Sequence, residues 1–114
     1  MGQAVVHFEV IGKDVEKLRS YYSDMFGWDI DANNPMNYGI VTTGEGIGGG
    51  VGSGGDGSGH ATFYVQVDDV KAYLDRAEKL GGRAIMGPMD VPGGPTIALF
   101  ADPEGHVVGL VKGM

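Results

Sequence analysis

The residues able to do chemistry in this chain sit on two short alternating stretches. In the segment 5–11 the two-residue strand period sends Val6, Phe8 and Val10 one way and His7, Glu9 and Ile11 the other. In 61–67 it sends Phe63, Val65 and Val67 to one side and Thr62, Tyr64 and Gln66 to the other. His60 shares that polar face at the start of the second stretch. An imidazole and a carboxylate, with hydroxyl, phenol and carboxamide groups, suit a small and partly apolar organic ligand, with Trp28 and Phe100 as candidate aromatic walls. Glu9 and Tyr64 are the candidates to move a proton, since a carboxylate desolvated in such a place becomes a base near neutral pH. The competing role for Glu9 is an ion pair with Arg19, Arg76 or Arg83.

These stretches open two copies of one pattern. Phe8-x-Val10 recurs as Phe63-x-Val65, Asp14-Val15 as Asp69-Val70, and Gly27 as Gly82, a displacement of 55 residues. Each copy has an alternating apolar run, an Asp that caps a helix, a stripe at helical spacing and a Gly stop. The first stripe is Val15, Leu18, Tyr22, Met25 and Phe26; the second is Val70, Tyr73, Leu74, Ala77 and Leu80. Strands follow at 28–32, 38–43 and 47–51 in the first copy. In the second they follow at 83–86, 96–101 and 107–111, with a short extended piece at 89–91. The reading is β-α-β-β-β twice, with modules 1–57 and 58–114 of a single domain and a flexible Gly-rich linker over 52–59.

Bulk properties narrow the function. A net charge of −7 argues against nucleic acid and against an anionic membrane surface. The absence of cysteine excludes disulfides, thiolate metal sites and a cysteine nucleophile. No basic segment followed by an apolar stretch marks a secretory signal, and no apolar run approaches the ~18 residues of a membrane span, so a soluble cytoplasmic protein is expected. Gly44-Glu45-Gly46-Ile47-Gly48-Gly49 satisfies G-x-G-x-x-G literally, but no helical stripe follows it, so a dinucleotide site is rejected. The glycines are expected instead to leave room for a ligand or another backbone.

The tandem β-α-β-β-β units, with Val6-His7-Phe8-Glu9-Val10, Phe26-Gly27-Trp28, the segment 60–67, Leu80-Gly81-Gly82 and the segment 92–110, resemble the vicinal oxygen chelate superfamily. That superfamily includes glyoxalases, bleomycin-resistance proteins and extradiol dioxygenases, and the chain is most similar to its short glyoxalase-like branch. The resemblance implies an α+β fold in which the two modules form a curved, mixed eight-stranded sheet around a cup, with helices outside. It also implies a homodimer.

Metal-using members draw His, Gln and Glu ligands from the first and last strands of each unit. Here His7 fits, whereas Thr62 stands at its repeat position, and glycines stand where the carboxylates are expected, at Gly109 and near Gly49. A site for Zn, Ni, Fe or Mn would have to use His7, His60 and Glu9. Otherwise His7 is a hydrogen-bonding residue of the cup. The resemblance therefore implies a small-molecule-binding protein with an incomplete metal site that takes an aromatic or amphipathic compound. The alternative is a metal-dependent lyase, isomerase or dioxygenase. His106, beside the turn Asp102-Pro103-Glu104-Gly105, is expected in solvent.

Overall fold

The computed structural model describes residues 2–54 and 59–114. The expected module boundary at 57/58 and half of the expected linker, 55–58, lie outside the described residues. Among those described there are eight strands and two helices, so the α+β class holds. No helix is long and apolar enough to cross a membrane. The chain divides into two compact units, His7–Ala61 and Thr62–Met114, the latter joined by the N-terminal residues through Val6.

The first unit is built from β1 (Val5–Gly12), α1 (Val15–Phe26), β2 (Asp29–Asp31), β3 (Gly39–Thr42) and β4 (Gly48–Ser53). Its strands lie in the order β2-β3-β4-β1, with β4 parallel to β1 and antiparallel to β3. Asp14 caps α1 by accepting from the Lys17 amide at 3.1 Å, and Gly27 ends it at φ 70°, a conformation that favours glycine. The 52–53 part of the expected linker is strand, because β4 pairs with β1 out to Ser53.

Beneath α1 the packing is aromatic. Trp28 lies 5.1 Å from the Phe8 ring, 5.7 Å from Tyr22 and 5.1 Å from Phe26, centroid to centroid. Val41 and Val51 are buried behind them. No residue of α1 is fully buried, and Met25 and Phe26 of the expected stripe are 61% and 56% exposed. Trp28, just past the helix, packs against Phe8 of β1, whereas Met25 faces outward.

The second unit contains β5 (His60–Gln66), α2 (Val70–Lys79), β6 (Arg83–Asp90), β7 (Thr96–Ala101) and β8 (Val107–Lys112), in the order β5-β8-β7-β6. The expected pieces at 83–86 and 89–91 are one strand, interrupted by register shifts on either side of Met86. Asp69 caps α2 through the Ala72 amide at 3.0 Å. Val67, Val70, Leu74, Ala98 and Leu110 form the core, with Val65, Tyr73, Ala84 and Phe100 packed against it. Each fully buried aliphatic side chain there contributes roughly 1.5–3 kcal/mol. Leu80, the last residue of the expected stripe, caps the helix and is 74% exposed.

Candidate functional site

Strand alternation in β1 separates two faces. Phe8 and Val10 point toward α1, and His7 and Glu9 point away from it. On the far face a third residue joins them. The Tyr38 hydroxyl donates to Glu9 Oε2 at 2.8 Å and lies 3.0 Å from His7 Nε2. A phenol has one proton, so with that proton on Glu9 the His7 Nε2–H must donate to the Tyr38 oxygen. Neutral His7 then carries its proton on Nε2, and Nδ1 is its accepting nitrogen. Burial holds His7 below the ordinary imidazole pKa, partly offset by the nearby Glu9 carboxylate.

Two features of the local sequence deliver Tyr38. The Asn34 side chain brackets it, accepting from the Tyr38 amide at 3.0 Å and donating to the Tyr38 carbonyl at 2.7 Å. Asn37 between them takes φ 52°, a left-handed conformation that Asn tolerates. The second feature is the glycine run of β4. In the parallel β1–β4 ladder His7 pairs with Gly48, Phe8 with Gly49 and Glu9 with Gly50. A Cβ at Gly50 would fall inside the Tyr38 ring and hydroxyl, and one at Gly52 would stand 2.9 Å from the same ring. On the other face a Cβ at Gly49 would be 2.6 Å from Phe8. The glycines expected to leave open space are therefore covered on both faces by the chain's own aromatic rings. Ile40, paired with Gly50, lies on the Tyr38 face and is 52% exposed.

The second unit repeats the device. Tyr64 pairs with Gly109, and its ring fills the place where a side chain at 109 would start. Tyr64 and Thr62 are buried, and the Thr62 hydroxyl donates to the Val107 carbonyl. Gln66 Oε1 accepts from the Met114 amide at 3.0 Å.

Other expected site residues lie elsewhere. Trp28 belongs to the aromatic cluster beneath α1, on the face opposite His7. Phe100 packs with Val65 and Leu110 beneath α2, on the face opposite Tyr64, because it pairs with Val108 and not with Gly109. There it lines an apolar crevice of about 320 Å³ with Tyr73, Leu80 and Leu110. His60 Nε2 is buried with no hydrogen-bond partner among the described residues. His106 is exposed, as expected. Its amide donates to Asp102 at 2.9 Å and holds that carboxylate below the usual range.

The donor set does not fit a divalent metal. Among the described residues no three His, Cys, Asp or Glu side chains stand close enough to hold one ion, so His7, His60 and Glu9 do not form the expected set. His7 Nε2 is directed at Tyr38, and the place of a side chain at Gly50 or Gly109 is taken by a tyrosine.

Comparisons with known proteins agree with this architecture. A family model described as Glyoxalase/Bleomycin resistance protein/Dioxygenase superfamily matches residues 4–110. The chain is 32% identical over 117 residues to anthracycline biosynthesis protein DnrV of Streptomyces peucetius, matching over 86% of its own length but spanning only 42% of that protein. It is 30% identical to a glyoxylase-like domain-containing protein of Didymella fabae, over 86% of this chain and 84% of that one. Among solved structures, a superfamily member from Vibrio splendidus 12B01 superimposes with a TM-score of 0.66 at 15% identity, over 97% and 99% of the two chains. That identity speaks for the fold alone.

Proposed function

We propose a function from one established premise: the chain belongs to the Glyoxalase/Bleomycin resistance protein/Dioxygenase superfamily. It binds a small, planar, hydroxylated aromatic compound on the face of the first unit that carries His7, Glu9 and Tyr38. The observation that carries this reading is the His7–Tyr38–Glu9 hydrogen-bonded chain laid over a glycine floor. Polar groups of fixed orientation sit there beside the exposed apolar Ile40 and the Tyr38 ring, a pairing of apolar platform and placed hydrogen bonds that suits a flat ligand. The likeness to an anthracycline biosynthesis protein supports the same ligand class, polycyclic hydroxyquinones. Among the described residues His7, His60 and Glu9 do not converge as ligands of one ion, so the reading involves the hydrogen-bonding groups alone.

The test is equilibrium binding of 2,6-dihydroxyanthraquinone followed by its own absorbance, because Trp28 lies on the opposite face of its unit. Saturable binding at one site per chain, weakened in His7→Ala, is expected. Failure to bind at ligand concentrations up to the solubility limit would contradict the reading. A homodimer in a cytoplasmic setting completes the proposal, and sedimentation at micromolar concentration tests the dimer.

A further inference from the structure

We propose that the crevice beneath α2 is a second binding site, which takes an unbranched aliphatic carboxylate with its charged end at Arg76. Every residue that lines it belongs to the second unit, whereas His7, Glu9 and Tyr38 belong to the first. The internal repeat accounts for the space. At the displacement of 55 residues, Tyr22 corresponds to Ala77 and Trp28 to Arg83. In the first unit those two rings stack 5.7 Å apart beneath α1. In the second, a methyl group stands at 77, and Arg83 is exposed at the start of β6. About 320 Å³ is left open, with Val65, Phe100 and Leu110 on the core side and Leu80 and Pro103 at the rim. That volume suits a small ligand.

The core side offers no polar side chain, so whatever reaches it must be apolar. A tricyclic quinone with a hydroxyl at each end would bury one of them unpaired, whereas a hydrocarbon chain buries none. Two charged groups line the rim, Arg76 and Asp102. Asp102 is engaged by its own turn: it accepts from the Glu104 and His106 amides, both at 2.9 Å, and lies 3.0 Å from His106 Nδ1. Arg76 is held over the Tyr73 ring at 5.1 Å. Among the described residues it makes no ion pair and no side-chain hydrogen bond. Its neighbours on α2 are taken. Asp75 pairs with Lys71, Glu78 accepts from the Ala84 amide, and the carbonyls of 76, 77 and 78 accept from the amides of 80, 82 and 81. The forked guanidinium is thus the charge that a ligand carboxylate can meet bidentately.

The experiment follows amide chemical shifts of the full chain during titration with octanoate below its micellar concentration, and with butanoate and 1-octanol. Octanoate should give saturable shifts at Tyr73, Leu80 and Phe100, leave His7 and Tyr38 unmoved, and bind about tenfold or more tighter than butanoate. Arg76→Gln should weaken octanoate by about three- to tenfold and change 1-octanol by less than about twofold. Equal loss of both would overturn the assignment of Arg76 to a carboxylate. Ala77→Phe puts a ring where the first unit has Tyr22 and should abolish both. If it does not fold, Leu80→Glu at the exposed rim supplies the same test. No saturable shift with octanoate, or shifts at His7 and Tyr38 in place of the crevice, would overturn the proposal. So would a dimer that binds no octanoate and that Leu80→Glu dissociates, since a second copy of the chain would then occupy the crevice. The quinone reading stands or falls separately, because the two sites share no residue.

Discussion

Tyr64 and Gly109 face each other across the β5–β8 ladder, and the tyrosine ring lies where any side chain at position 109 would begin. The same relation holds in the first unit between Tyr38 and Gly50, although there the ring arrives from the start of β3 and not from the opposing strand. Each unit thus uses glycine on its last strand to seat a tyrosine. Gly109→Ala should destabilise the chain by about 1–3 kcal/mol, the usual cost of forcing a methyl into a filled site. Tyr64→Ala should relieve that clash, so Gly109→Ala should cost less in the Tyr64→Ala background. Thermal unfolding of the four proteins measures the coupling, and simple additivity would count against it.

Tyr38→Phe removes a hydroxyl that serves Glu9 and His7 together. Its expected cost is about 1–3 kcal/mol, because one of the two bonds is to a charged acceptor. Urea unfolding gives the figure, and a change below about 0.5 kcal/mol would mean the three groups are not coupled in solution.

Acid should weaken the fold through His7. Its folded-state pKa is depressed by burial, so in the interval between that value and the ordinary one near 6.5 the unfolded chain binds more protons. Stability therefore rises with pH through that interval; it is fully present above the ordinary value and is lost as pH falls through it. Unfolding temperatures between pH 8 and pH 5 should decline on the acid side, and His7→Gln should flatten the decline. An NMR titration midpoint for His7 at or above that of an unstructured peptide would reverse the sign.

Metal retention is a separate test. After chelation, soaking in Zn, Ni, Mn or Fe(II) and desalting, the chain should hold well under one ion. His7→Ala should make no difference, because His7, His60 and Glu9 do not converge. One ion per chain, abolished by His7→Ala, would show a rearranged site.

How far the sequence could be read follows from the range of each signal. The β-α-β-β-β pattern is carried by local rules: strand alternation at 5–11 and 61–67, the aspartate caps, and Gly27 at the end of α1. His7 and Glu9 were placed on one face by that alternation alone. Tyr38 was not legible as a site residue, since its role depends on the pairing of Glu9 with Gly50 and on a loop conformation at Asn37. The signals that could have found it are the glycine run, whose missing side chains leave room for a ring, and Asn34, which holds the backbone of residue 38. Trp28 and Phe100 read in the sequence as ligand walls because aromatic residues suit both a core and a binding wall. Only the ring contacts of Trp28 and the strand pairing of Phe100 show that both lie on the helix-covered faces.

The central claim is where the ligand sits, and amide chemical-shift mapping during titration with 2,6-dihydroxyanthraquinone tests it most directly. The largest shifts should fall on His7, Glu9, Tyr38, Ile40 and the β4 glycines, with Tyr73, Leu80 and Phe100 around the crevice beneath α2 unmoved. Shifts confined to that crevice would contradict the account.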